Sequence, residues 1–271
     1  MEPMMFEGPR GAIAYRESGG RGRPVVLVHG NSASMRAFER QMSAPLGQAL
    51  RLIAIDLPGH GRSADAHDAS GYGLPAYADV LVAFASDRGL QDAIFVGWSL
   101  GGHIILEAVP ALPQARGFMI FGTPPLGFPP AMDKAFLPNP AMGLGFAADI
   151  TRSQAQQYVE SFFRPGWSDI PASFVDDVMR TDGRARAELA AGIVPGGYRD
   201  EIEVVANLDR PLAVLHGARE QLVNGTYFET LRMPTLWRQS VQVLPDAGHA
   251  PQWEDAVAFN TLLAAFVADV G

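Results

Sequence analysis

The hexapeptide Gly97-Trp98-Ser99-Leu100-Gly101-Gly102 follows the apolar run Ile94-Phe95-Val96 and opens a segment of helical character. A serine with glycines two residues before and two after it, at a strand-to-helix turn, is placed to be a nucleophile. The glycines let strand and helix approach closely, and the turn lifts the serine oxygen clear of the strand end. The helix N-terminus then aims free amides and a partial positive charge at the same point. A serine alcohol is a weak nucleophile by itself. It needs an imidazole to take its proton and a carboxylate to orient that imidazole.

Six histidines are available, and only His216 and His249 lie usefully far downstream of Ser99. His249 stands in Pro245-Asp246-Ala247-Gly248-His249-Ala250-Pro251, between the last strand signal and the last helix signal, and is the expected base. His216 ends a strand before Gly217 and is expected to be packed. His103 falls one helical turn beyond Ser99, and His60 and His67 occupy an early loop with no evident chemistry. The acid belongs after the run Leu212-Ala213-Val214-Leu215, where Glu220 is the one carboxylate in His216-Gly217-Ala218-Arg219-Glu220-Gln221. An ion pair with Arg219 is the alternative use of that side chain. Asp209 precedes the strand, which puts it at the opposite sheet edge, and Asp246 suits a turn beside His249. An oxyanion hole completes the set, each donor contributing about 3–4 kcal/mol to the transition state. The amides of Leu100 and of Asn31, in His29-Gly30-Asn31-Ser32, are the expected donors.

These residues need a rigid frame. Val25-Val26-Leu27-Val28, Leu52-Ile53-Ala54-Ile55, Ile94-Phe95-Val96 and Phe118-Met119-Ile120-Phe121 are short apolar runs, each ended by turn residues. Such runs read as parallel strands covered on both faces. Helix-length segments around 33–47, 75–88 and 100–110 lie between them, so the expected class is α/β with right-handed crossovers. After Pro124 the pattern changes. Residues 126–147 are rich in Pro, Gly, Met and Phe without strand period, and 151–163, 171–180 and 184–194 read as helices opened by Thr151, Pro171 and Asp182-Gly183. Strand signals return at 212–215 and 241–244, and a last helix spans about 253–268. The expected organisation is a core of residues 1–123 and 211–271 with a helical cap, 124–210, inserted after the sixth strand.

Composition narrows the partners. The 271 residues carry a formal charge of −8, and Lys134 is the only lysine. That field repels polyanions, so neither nucleic acid nor an anionic membrane surface is an expected partner. With no cysteine, disulfides, thiolate metal sites and a Cys nucleophile are excluded. No signal-peptide pattern opens the chain, and the longest uncharged stretch, 117–132, is broken by prolines and too short to span a bilayer. A cytoplasmic, soluble protein is expected. Gly59-His60-Gly61-Arg62-Ser63-Ala64 spells a dinucleotide fingerprint but continues as turn rather than helix, so no cofactor is expected. The dispersed histidines match no zinc pattern, and no metal is expected.

Taken together, His29-Gly30, Asp56-Leu57-Pro58-Gly59-His60-Gly61-Arg62-Ser63, Gly97-Trp98-Ser99-Leu100-Gly101-Gly102 and Ala247-Gly248-His249 resemble an α/β-hydrolase over the whole chain. His29-Gly30-Asn31-Ser32, Gly102-His103-Ile104, Gly122-Thr123-Pro124-Pro125, Thr181-Asp182-Gly183-Arg184-Ala185-Arg186, Leu236-Trp237 and Gly248-His249-Ala250-Pro251 resemble, more narrowly, the AidH-type N-acyl-homoserine lactonases. The resemblance implies metal-independent, quorum-quenching lactone hydrolysis by a Ser99/Glu220/His249 triad. It implies substrate contacts from Asn31 and Tyr158, and Trp98 beside the nucleophile is grouped with them. The expected substrate is a small neutral acylated lactone or ester in an apolar pocket, to which Phe128, Met132, Phe136, Met142, Phe146, Phe162, Phe163 and Trp167 of the cap offer side chains. A carboxylesterase or carbon–carbon bond hydrolase with the same triad, and a slow-turnover ligand sensor, are the alternatives. The triad also serves two routes, a covalent acyl-enzyme or a water directed by His249.

Overall fold

The computed structural model describes residues 3–43 and 45–271. Met1 and Glu2 of the expected N-terminal segment, and Ala44 within the expected 33–47 helix, lie outside the described residues. Eight strands form one sheet: β1 (Met4–Gly8), β2 (Gly11–Glu17), β3 (Pro24–Val28), β4 (Arg51–Ile55), β5 (Ile94–Trp98), β6 (Gly117–Phe121), β7 (Leu212–Gly217) and β8 (Gln242–Leu244). Their spatial order is β1-β2-β4-β3-β5-β6-β7-β8. β1 and β2 pair antiparallel, β2 joins β4 antiparallel, and every later pairing is parallel.

The continuous apolar runs follow from burial on both faces. Val26 and Val28, Phe95, Phe118 and Ile120 enter one core, while Val25 and Leu27, Ile94 and Val96, Met119 and Phe121 enter the other. Alternate side chains of each strand thus meet a separate apolar layer. One layer is closed by Leu74–Asp87 and Leu100–Ala108, the other in part by Ala256–Val270.

The antiparallel start, Met4–Gly8 with Gly11–Glu17, supplies the first two of the six strands before the insert, although no apolar run in the sequence marks them. It is held by Phe6 and Tyr15 edge-on to Phe84. The expected helix 33–47 is instead a 3-10 turn, Met35–Phe38, followed by the short helices Glu39–Met42 and Pro45–Ala49. Proline lacks the amide donor that a continuous helix would need at position 45.

Between β6 and β7 the described residues form no strand, only turns, a short helix Met132–Ala135, a 3-10 helix Pro140–Phe146 and four longer helices: Arg152–Glu160, Ala172–Arg180, Gly183–Gly192 and Glu201–Asn207. Thr151 and Gln154 form a reciprocal capping box, and Asp182 caps its helix by accepting from the Arg184 amide. The Glu201–Asn207 helix packs back against Leu100–Ala108.

Candidate active site

Sheet register builds the site. Val28 of β3 pairs with Gly97 of β5, and Trp98 pairs with Phe121 of β6, so the loops after these strands emerge side by side at the C-terminal edge. Ser99 sits between β5 and Leu100–Ala108 at φ 51°, ψ −118°, a backbone state costly for a non-glycine residue. The turn is held from both ends: the Ser99 amide donates to the Phe121 carbonyl at 2.8 Å, and Thr123 Oγ1 donates to the Ser99 carbonyl at 2.8 Å. Close approach explains Gly101, where a Cβ would lie 2.2 Å from the Val28 carbonyl oxygen.

β7 and β8 are neighbours, so the loops that follow them also meet. Glu220 and His249 face each other there, with His249 Nδ1 3.0 and 3.1 Å from the two carboxylate oxygens and both side chains 3% exposed. Burial pushes the Glu220 carboxyl upward. The facing imidazole, its hydrogen bond and the Leu222 amide outweigh that and hold it below the ordinary glutamate value. The amides of Gln221 and Leu222 donate to Oε1 at 3.1 and 2.9 Å, fixing the carboxylate plane. Asp246, by contrast, is exposed.

The His249 ring lies over Gly122, where a Cβ would come within 2.7 Å of Cε1. Its loop is clamped by two residues that sequence reasoning did not single out for this. Trp98 Nε1 donates to the His249 carbonyl at 2.7 Å. The buried Glu254 carboxylate accepts from the amides of Gly248, at 2.7 Å, and Arg164, at 2.6 Å, joining that loop to the insert between β6 and β7. Neither was detectable locally, since each depends on a partner that the fold alone brings near. Ser99 and His249 line the same cavity. Among the described residues the Ser99 hydroxyl makes no hydrogen bond. Such contacts commonly close only once substrate is bound.

The loop after β3 faces the serine from the other side. His29 is fully buried and anchors it: Nδ1 meets the Gly30 carbonyl at 2.8 Å and Nε2 accepts from the Leu57 amide at 3.0 Å. This arrangement requires a neutral ring, and burial, with His60 nearby, lowers its pKa to about 3. Among the described residues, the amides of Asn31 and Leu100 donate to no backbone carbonyl. The Asn31 side chain donates to the Gly145 carbonyl at 2.6 Å and accepts from Ser32 at 3.1 Å, and it lines the cavity together with Tyr158. Burial drives the Tyr158 phenol well above the usual tyrosine range, so it stays protonated.

A cavity opens over Ser99. Asn31, Leu100, Tyr158 and His249 line it. So do Met132, Phe136, Met142 and Phe146 from the stretch without strand period, whereas Phe162 and Phe163 are buried in the core. Trp98 is the correction. It is 1% exposed and lines no part of this cavity, because as the last residue of β5 it points into the layer holding Phe162 and Phe174. Its place is behind His249, outside the cavity wall. His216 is half-buried against Phe228, and His60 is buried beside His29. His103, set aside at the level of sequence, also lines the cavity. Among the described residues no group of three or more His, Asp or Glu side chains is arranged to hold a metal, and no helix is long and apolar enough to cross a membrane.

A model of the alpha/beta hydrolase family matches residues 25–262. The chain belongs to that family. It is 30% identical over 224 residues to a bifunctional esterase/perhydrolase of Acinetobacter calcoaceticus, covering 78% of this chain and 79% of that protein. It is 28% identical over 258 residues, 93% of this chain, to the dihydrolipoyllysine-residue acetyltransferase component of the acetoin cleaving system of Cupriavidus necator. The chain spans 65% of that component's length. Among solved structures it is similar to the N-acyl homoserine lactonase AidH, in a serine-to-glycine mutant complexed with N-hexanoyl homoserine lactone. The TM-score is 0.95 and the identity 35%, over all of this chain and 98% of the other.

Proposed function

We propose that this hydrolase opens the lactone ring of N-acyl-homoserine lactones by Ser99/Glu220/His249 catalysis. The observation that carries the reading is His249, paired with the buried Glu220, lining the same apolar cavity as Ser99, Asn31 and Tyr158. Its likeness to a lactonase complexed with an acyl-homoserine lactone supports the substrate. His249 Nε2 takes the Ser99 proton as the oxygen attacks the ring carbonyl, while Glu220 holds the Nδ1 proton and stabilises the imidazolium. The amides of Asn31 and Leu100 receive the oxyanion, and the Asn31 and Tyr158 side chains hold the lactone. The ring C–O bond then breaks and His249 protonates the departing alkoxide. Water attacks the Ser99 ester with His249 again as base, releasing the N-acyl-homoserine. The core carries this chemistry, and the helical insert, with boundaries near 124 and 210, acts as the cap that shapes the acyl pocket.

The esterase relative favours a second reading, hydrolysis of linear esters. A panel of acyl-homoserine lactones and p-nitrophenyl esters of equal acyl length separates the two. The lactonase reading expects a higher kcat/KM for the lactones, unchanged by a chelator. Faster cleavage of the linear esters with inert lactones would replace it. Chelator-sensitive activity restored by zinc would overturn the metal-free mechanism.

A further inference from the structure

The cavity wall holds a second histidine, His103, paired with a buried glutamate behind it, that the proposed chemistry does not use. His103 stands one helical turn beyond the nucleophile, its amide 3.3 Å from the Ser99 carbonyl oxygen. Its Nδ1 lies 2.9 Å from both carboxylate oxygens of Glu201. Glu201 is 1% exposed and the His103 side chain 13%. The carboxylate is itself oriented, since Oε2 accepts from the Leu126 amide at 2.7 Å while the Glu201 amide donates back to the Leu126 carbonyl at 2.9 Å. Among the described residues Nε2 of His103 has no partner.

This is a built polar corner in a mostly apolar pocket. Apart from the four residues assigned to the lactone end, Asn31, Ser99, Tyr158 and His249, only His103 and Tyr198 among the described residues bring polar side chains to its wall. The Tyr198 hydroxyl proton is already committed to the Gly127 carbonyl, at 2.9 Å. The carboxylate can only accept, so it keeps the proton of a neutral imidazole on Nδ1 and leaves Nε2 as an acceptor. An acceptor fixed in an apolar wall favours a substrate that brings a donor to it, because one without a donor strips water from the ring nitrogen and gives nothing back.

We propose that His103, positioned by Glu201, is a specificity-determining residue that reads a hydroxyl group on the acyl chain, a few bonds from the amide. The inference rests on the lactonase reading and names the substrate class within it. Acyl chains with a hydroxyl at that position are the preferred class, ahead of unsubstituted chains. Chains with a keto group there rank with the unsubstituted ones, since a carbonyl oxygen facing an acceptor nitrogen forms no hydrogen bond.

The test uses three acyl-homoserine lactones of equal length, unsubstituted, 3-hydroxy and 3-oxo, at pH 8. Turnover of the unsubstituted lactone reports on the parent reading, and the ratio of kcat/KM values reports on His103. The wild-type protein is expected to favour the 3-hydroxy lactone over the unsubstituted one by roughly tenfold, one good hydrogen bond's worth. His103→Leu should bring the ratio near unity, and His103→Gln, whose side chain can again present an acceptor, should restore part of it. Because each ratio is internal to one variant, a change in overall activity leaves it readable. Lactone turnover with a ratio near unity in the wild type, or a preference for the 3-oxo lactone, overturns the assignment while leaving the lactonase reading intact. A wild-type preference that survives His103→Leu overturns it too. No turnover of any of the three lactones sinks both.

Discussion

Two histidines, each backed by a buried carboxylate, border one cavity, and they differ in how they are held. His249 comes from a loop and is fixed by surroundings: Glu220 on Nδ1, Trp98 on its carbonyl, Gly122 beneath its ring and Glu254 on the preceding amide. His103 comes from a helix and is fixed by its own backbone, with Glu201 as its side-chain partner among the described residues. A carboxylate behind a histidine therefore does not make a base. On the functions proposed above, what separates a proton carrier from a reader of substrate is the group that the free nitrogen serves, Ser99 for His249 and the acyl chain for His103.

Breaking each carboxylate in turn sharpens that contrast. Glu220→Gln should lower kcat for an acyl-homoserine lactone by about 10³–10⁴, because the imidazole loses its tautomer and its countercharge. Tyr158→Phe removes the phenol hydroxyl proposed to hold the lactone and should cost about 1 kcal/mol, roughly fivefold in kcat/KM. Glu201→Gln should stay within about threefold on the unsubstituted lactone while eroding the preference for the hydroxylated one, since its loss frees a reader and not a base. Asp246→Ala, on an exposed turn, should leave the rate unaltered. Equal losses at Glu220 and Glu201 in steady-state assays would erase the distinction.

Histidines without a carboxylate give a third case, read through stability. His60 is buried, and desolvation lowers its pKa from 6.5 to about 4. The unfolded chain therefore binds a proton below pH 6.5 that the folded chain refuses, so this contribution is complete above pH 6.5 and is lost as the pH falls toward 4. The wild type should lose about 1.4 kcal/mol more per pH unit across that window than His60→Phe does, measured by urea unfolding. Parallel stability curves would contradict it.

The frame was legible because each central strand is covered on both faces and announces itself as an apolar run ended by turn residues. Those turn signals also put Glu220 and His249 in loops that the parallel order brings together. The antiparallel start was not legible: its short strands draw their burial from Phe84, far along the chain. Trp98 was misplaced for a related reason, since a residue next to a nucleophile in sequence points to the opposite face of the strand. Glu201 and Glu254 look like ordinary helix-terminal acids in the sequence. Only tertiary contact turns one toward His103 and the other toward the His249 loop.

The central claim is most directly tested by following proton release from N-hexanoyl homoserine lactone with the wild-type protein and Ser99→Ala, alongside calorimetric binding of the same lactone to the variant. The account predicts ring opening by the wild type, at least a thousandfold loss in Ser99→Ala, and retained binding by that variant. A Ser99→Ala protein that still opens the ring at a comparable rate would contradict it.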